Sequence, residues 1–387
     1  MNSQTPNHPW AGLYLHIPFC VKKCPYCDFF STTDLSLKAR FLDTLFKETA
    51  LVQAGDLSFD TIYLGGGTPS LYNPSEIGGL IDSIHRRFSI QPDTEITLEV
   101  NPGTVNRHRL EAYRKAGVNR INIGVQSFQQ DQLEFLGRIH SNEEAVETIH
   151  AARQSGFINI GIDFIYGLPG QTASSLILDL KKAVSFDPEH LSCYLLTYEP
   201  GTRLTHSMNA GQFSPLSDEQ TGNLLETTVA YLDANGYMQY EISNFAKSSE
   251  FISRHNRKYW DFTPYLGLGP SAHSFFPPER RWNHSSLPPY LADIENGKPP
   301  VAGREALTRQ QQIMEAIYLG LRKTEGINTE KFERFFSSDF LNMFKDALET
   351  LTDDALIVLD SNHCRLSRKG MRFMDSVAKV LVNAGAF

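Results

Sequence analysis

Six times before Gly201 a short apolar run gives way to a helical pattern, and this alternation is what most restricts the fold. The runs fall at 13–17, 61–64, 95–100, 120–125, 159–165 and 191–196. Between them, apolar residues return every three or four positions. Leu37, Phe41 and Leu45 do so first, then Ile77, Leu80, Ile81 and Ile84, later Leu176, Ile177, Leu180 and Val184. Leu110 and Tyr113 mark a further helix, and a longer helical region runs to about Gln154. Asn73-Pro74 reads as an N-cap followed by proline at the first helical position. Strand then helix, repeated, predicts parallel βαβ units with right-handed crossovers. Six units predict an α/β fold built on a partial (β/α)6 TIM-like barrel, since closure takes eight. Glycine and polar residues gather at the C-terminal ends of the runs: 65–69, 101–103, 126–128 and 166–170. In parallel barrels and open sheets that end binds ligands.

Beyond Gly201 the pattern changes. Ser217 and Gln220 form a capping box before Leu224, Leu225, Val229 and Leu232, and Asn235-Gly236 ends that helix. The stretch 240–283 is rich in aromatics, glycine and histidine and reads as a loop-rich site region. Pro288, Pro289, Pro299 and Pro300 mark a boundary, and Thr308 with Gln311 opens another capped helix. The tail reads helix, helix, hairpin at Ser361-Asn362, helix, the order of a C-terminal α+β, winged-helix-like module. The expected domains are a barrel at 1–205, an intermediate region at 206–300 and this module at 301–387.

Composition narrows the function. The net charge of -8 argues against a nucleic-acid binder, which would be basic. Residues 1–10 are polar and lack a signal-peptide pattern, and no run approaches a membrane span. We therefore expect a cytoplasmic protein, with peripheral membrane association left open. Five cysteines, three of them clustered, point to metal or redox chemistry in a reducing compartment rather than disulfides.

Those three, Cys20, Cys24 and Cys27, stand at C-x3-C-x2-C spacing just after the first strand. Thiolates suit zinc or iron–sulfur centres, and a reactive thiol group is a third reading. A closed zinc site wants four ligands, and His16 is the one nearby candidate. The missing fourth thiol favours a 4Fe–4S cluster with one iron left open. Cys193 and Cys364 are isolated and read as buried structural cysteines. Gly65-Gly66-Gly67-Thr68 is either a plain turn or a place where a charged ligand touches backbone; it is no P-loop, because no Gly-Lys-Ser/Thr follows. Glu99, Gln126 and Asp163 close or approach strand ends, where a charged or polar group is costly unless it faces a site. Arg138 alone would default to a solvated charge.

With this spacing the chain resembles the radical S-adenosylmethionine (SAM) superfamily. The resemblance implies a 4Fe–4S cluster on Cys20, Cys24 and Cys27, with the methionine moiety of SAM on its open iron. Tyr26 matches the family's aromatic near the adenine. It also implies that Tyr14, Gly66, Gly67, Thr68, Glu99, Gln126, Arg138 and Asp163 line the SAM pocket. Longer stretches, 16–20, 65–69 and 163–172, look like the oxygen-independent coproporphyrinogen III dehydrogenase family. Its decarboxylating members carry a further cysteine two residues after the third ligand; here that residue is Phe29.

His255-Asn256-Arg257-Lys258-Tyr259-Trp260 is similar instead to the H-N-x-x-Y-W signature of the related HemW-type haem chaperones. Residue types alone leave two readings: His255 as an axial imidazole for haem iron, or a histidine hydrogen-bonded within an ordered aromatic loop. On the first, Tyr259 and Trp260 would cover the macrocycle, and Arg254, Arg257 and Lys258 would meet its propionates; His273 is a secondary candidate. The resemblance implies a haem chaperone that passes haem to acceptor haemoproteins, membrane respiratory proteins among them. An electron donor for the cluster is a further expected partner, and a homodimer is left open. The alternative is the enzyme: radical oxidative decarboxylation of coproporphyrinogen III to protoporphyrinogen IX.

Overall fold

The computed structural model describes residues 10–385. The reading of 1–10 as a polar, leader-free start lies outside the described residues apart from Trp10. Among the described residues no helix is long and apolar enough to cross a membrane.

The first half runs β1 (Ala11–Ile17), α1 (Lys38–Leu51), β2 (Ser58–Gly66), α2 (Pro74–Arg87), β3 (Ser89–Val100), α3 (Arg107–Lys115), β4 (Arg120–Gln126), α4 (Gln130–Phe135), α5 (Asn142–Gln154), β5 (Ile160–Tyr166), α6 (Ala173–Ser185) and β6 (His190–Leu195). Strands β1 to β6 lie side by side in that order, all parallel. This is the partial barrel that the alternation predicts. Leu13, Leu15, Ile17, Ile62, Leu64, Leu98, Ile121 and Ile123 are fully buried against the helices. The α2 face of Ile77, Leu80, Ile81 and Ile84 supplies one of the matching surfaces, each side chain contributing about 1.5–3 kcal/mol. Asn73 caps α2 as its sequence foretells, and Glu76 returns the contact to the Asn73 backbone. The long helical region to Gln154 is in fact two helices, broken at Gly137 (φ 66°) and restarted by the Ser141 cap of α5. Strand β3 starts earlier than its apolar run, because Ser89 and Ile90 already pair with Ser58 and Phe59.

The chain continues through α7 (Arg203–Asn209), α8 (Asp218–Ala234), β7 (Met238–Gln239), β8 (Asn244–Ala246), α9 (Arg254–Trp260), β9 (Tyr265–Leu268), β10 (His273–Phe276), β11 (Glu279–Asn283), α10 (Leu287–Glu295) and β12 (Val301–Ala306). The stretch 240–283 is therefore not mainly loop. Its four strands, together with β7 and β12 on either side of it, extend the sheet to twelve, with β9 parallel to β1 and β8 antiparallel to β6. The four, β8 to β11, have three to five residues, too few for a period of two to stand out. Pro288 and Pro289 sit in the first turn of α10, where a missing N–H costs nothing.

Glu48 of α1 ties this extension to the barrel. Fully buried, it accepts from Asn283 Nδ2 (2.8 Å), Gly269 N–H (2.8 Å) and Tyr290 O–H (2.7 Å). Helix α9 stoppers the N-terminal end of the barrel. The Glu95 carboxylate accepts the backbone N–H groups of Arg254 (3.2 Å) and His255 (3.1 Å), and Arg120 Nη1 donates to Phe251 O (3.1 Å).

The tail comprises α11 (Arg309–Arg322), β13 (Ile327–Asn328), α12 (Thr329–Phe336), α13 (Phe340–Met343), α14 (Lys345–Asp353), β14 (Ile357–Leu359), β15 (His363–Leu366), α15 (Arg368–Met371) and α16 (Met374–Ala384). Its sheet has the order β13-β15-β14, with the hairpin at Ser361-Asn362 and a strand after the first helix, a winged-helix arrangement. Ile313, Ile317, Phe332, Phe340, Leu348 and Val377 form a hydrophobic core separate from that of the barrel.

Candidate functional site

The C-terminal ends of β1 to β6 open into a cavity of about 1170 Å³. Cys20, Cys24, Tyr26 and Cys27 line it from the loop after β1; Gly66, Gly67 and Thr68 follow β2; Glu99, Gln126, Arg138 and Asp163 complete the rim. Sequence reasoning named all of these. Tyr14 is not among the lining residues: its hydroxyl pairs with His16 Nδ1 (3.0 Å) and its ring lies 6.2 Å from that of Tyr63, its partner in register. The far wall is built by α8 and by residues 371–376 of the tail module.

The glycine loop is stapled to the thiol loop. Gly67 N–H donates to Ile17 O and Thr68 N–H to Phe19 O, both at 2.7 Å. A Cβ on Gly67 would stand within 2.9 Å of those backbone atoms. Gly66 has φ 107°, and a Cβ there would strike the His16 ring. Two side chains reach the thiols directly: Thr68 Oγ1 donates to Cys20 Sγ (3.7 Å) and Arg138 Nη1 to Cys24 Sγ (3.6 Å). Arg138 is no solvated charge, since its Nη2 also donates to Asn101 Oδ1 (2.8 Å) and Gly124 O (2.9 Å).

Opposite the thiols stands a group of carboxylates and amides. Glu99 accepts from Tyr63 O–H (2.8 Å) and Gly66 N–H (3.0 Å). Burial nevertheless pushes its pKa up to about 7, aided by repulsion from Asp163. Burial raises Asp163 as well. Asp163 Oδ2 accepts from Asn122 Nδ2 (2.5 Å), while Asp163 Oδ1, Asn122 Oδ1 and Gln126 Oε1 are buried without a partner among the described residues. Gln126 also adopts φ 69°, uncommon for a side-chain-bearing residue. Three unpaired acceptors around one cavity suit a ligand rich in donors, such as an ammonium and ribose hydroxyls. Sequence reasoning missed Tyr63, Asn101 and Asn122. The signal for Asn122 is register: it pairs with Glu99 on one side and with Gly161, two residues before Asp163, on the other.

The thiols fit a cluster better than a zinc ion. His16 is committed elsewhere, with Nδ1 on Tyr14 and Nε2 on Phe30 O (2.8 Å), and burial lowers its pKa to about 4. Each thiolate of a cubane takes a separate iron, so the three need not surround one point; among the described residues no three His, Cys, Asp or Glu do so. Cys193 and Cys364 are buried in the two cores.

The H-N-x-x-Y-W residues lie apart from this rim and divide between two faces of α9. His255 and Tyr259 face the barrel interior. His255 is 1% exposed, stacks on Tyr63 at 5.1 Å, and engages Thr61 Oγ1 through Nδ1 (2.8 Å) and Tyr259 O–H through Nε2 (3.0 Å). Burial takes its pKa down to about 3, so it is neutral. Trp260 looks outward, under the Arg322 guanidinium at 4.4 Å. The three cations of this segment are already paired: Arg254 with Asp93, Arg257 with Asp261 and Glu325, Lys258 with Asp60. His273 is exposed on β10 and stacks on Trp282.

Barrel, thiol loop and glycine cradle define a class. The Radical SAM superfamily matches residues 14–183, and the HemN C-terminal domain matches 307–373. The solved structure of coproporphyrinogen III oxidase (HemN) from Escherichia coli, a radical SAM enzyme, superposes with a TM-score of 0.83 at 26% identity, over 97% of this chain and 90% of that one. The heme chaperone HemW of Bacillus subtilis (strain 168) is 34% identical over 361 residues, 92% of this chain and 95% of that protein. HemW of Escherichia coli (strain K12) is 40% identical over 276 residues, 68% of this chain and 70% of its own. The chain belongs to the HemW family within the radical SAM superfamily. Membership implies a 4Fe–4S cluster and SAM.

Proposed function

We propose that the chain is a haem chaperone that binds haem and hands it to acceptor haemoproteins, membrane respiratory proteins among them, from the cytoplasmic side. The observation that carries this reading is likeness to heme chaperones along nearly the whole chain. Phe29 supports it: 66% exposed, it lines the cavity where the decarboxylating enzymes resembled here carry a cysteine. In this reading the barrel (1–205) holds cluster and SAM, the region 206–300 carries the haem motif, and the module 301–387 closes the cavity.

Cys20, Cys24 and Cys27 would hold three irons of the cluster, which supplies one-electron chemistry when bound. Gly66, Gly67 and Glu99 would hold the SAM ammonium, Arg138 its carboxylate, and Gln126 and Asp163 its hydroxyls, with Tyr26 beside the adenine and Tyr14 and Thr68 supporting. Tyr63 orients Glu99 by donating to Oε1. For His255 to ligate haem iron, α9 must withdraw from the barrel and break the contacts to Thr61, Tyr63 and Glu95.

A second reading, coproporphyrinogen III oxidation, is favoured by the whole-chain superposition on that enzyme. One experiment separates the two. The cluster is reconstituted without oxygen, then haem binding by absorbance, haem transfer to an apo-haemoprotein and coproporphyrinogen turnover are measured side by side. Binding and transfer without turnover is the expected result; turnover without transfer would replace the chaperone by the enzyme. Cys24→Ala should abolish the cluster absorbance.

A further inference from the structure

A second recess lies on the outer side of α9, between the bottom of the barrel and the tail module. It measures about 430 Å³. Its apolar lining includes Met238, Tyr240 and Trp260; its polar lining includes Lys323, His363 and Arg365. The size falls within the range of small-molecule pockets.

His363 carries the marks of an available ligand. Asn328 Nδ2 approaches its Nε2 at 3.2 Å, and an amide nitrogen only donates, so Nε2 presents a lone pair. Nδ1 faces the Asp360 carboxylate at 3.6 Å, the outer partner that metal-binding histidines commonly have. Its side chain is 33% exposed, whereas His255 is sealed in the barrel with both nitrogens bonded. Binding a metal at Nε2 moves no proton; it replaces one amide contact.

The charges fit an anionic ligand. Glu325 is held by Arg257 and Lys323, and Asp360 accepts the backbone N–H groups of Asn362 (3.1 Å) and His363 (2.9 Å). Arg365 is exposed and makes no ion pair among the described residues. A free guanidinium beside an imidazole and aromatic rings matches a flat, iron-bearing macrocycle with carboxylate arms.

We propose that haem docks in this groove rather than inside the barrel, with His363 Nε2 on the iron and a propionate on Arg365. The proposal rests on the haem-chaperone reading and names its site. It also explains how one motif serves two ends: His255 and Tyr259 anchor α9, while Trp260 meets cargo.

Ferric haemin titrated into the full-length protein, followed at the Soret band, tests it. His363→Ala should weaken binding at least tenfold and remove the spectral signature of imidazole ligation. Arg365→Glu, at an exposed position where misfolding is no explanation, should weaken binding several-fold and keep that signature. Iron-free protoporphyrin IX should bind wild type at least tenfold more weakly than haemin. Wild-type affinity and spectrum in His363→Ala would overturn the proposal, as would loss of the signature in His255→Ala alone. Failure of the wild type to bind haemin at all would sink the chaperone reading beneath it.

Discussion

Glu99 joins two parts of the molecule that the chain keeps far apart. Its carboxylate meets Gly66 at the rim and Tyr63 below, and Tyr63 stacks on His255. Because burial raises its pKa from 4.5 to about 7, Glu99 is largely protonated at pH 6 and gains charge as pH rises. A ligand ammonium needs the carboxylate, so SAM binding should strengthen between pH 6 and about 7.5 with release of a proton. Above that the ligand's own ammonium begins to lose its proton. Calorimetric titration at several pH values checks this, and Glu99→Gln should flatten the profile. Wild-type affinity that is level across this range would remove Glu99 from the ammonium site. The thiols, the glycines, Glu99, Gln126 and Asp163 were legible as site residues because each breaks the expectation of a strand end. Asn122 and Tyr63 were not: one polar residue between isoleucines, or a tyrosine in a strand, is unremarkable until register sets it beside a carboxylate.

At the scale of elements, α9 is held by a carboxylate it does not carry. Glu95, 6% exposed, satisfies two of the four orphan N–H groups at its N-terminus. Glu95→Ala should cost about 2–3 kcal/mol in urea denaturation and raise hydrogen exchange across 254–260, since the His255 donor stays buried and the Arg254 donor partly so. Asp93→Ala, which removes only an exposed partner of Arg254, should cost under about 1 kcal/mol. A second anchor is Glu48. Glu48→Ala strands three buried donors from α10, β11 and the loop after β9, and a loss of at least about 3 kcal/mol is expected by the same measurement. Long elements were readable from their period and caps, α2, α8 and α11 among them. The strands between 240 and 283 were not, because strands this short are stabilised by the neighbours they pair with rather than by their own pattern.

For the molecule as a whole, the tail module acts as the cavity's outer wall. Arg372 reaches from it to α8, donating to Glu219 O (3.2 Å) and pairing with Glu226 (3.6 Å); a Cβ on Gly222 would collide with its guanidinium. These are solvent-facing contacts, so Arg372→Ala should change the unfolding midpoint little, with a cost under about 1 kcal/mol. The same variant should lose cluster absorbance several-fold faster in air, because the wall opens towards the thiols. Equal bleaching rates would show that this contact does not guard the cavity.

The sequence by itself determined the parallel barrel half, the thiol triplet and the glycine turn. These are local: period, spacing and small residues act within a few positions. Tertiary structure alone decided which way α9 faces. Seven residues make two turns, too few for periodicity to choose a buried side, and the choice fell to Thr61, 194 positions from His255 in sequence, with Tyr63 and Glu95 beside it. That packing places His255 inside the barrel and Trp260 outside it.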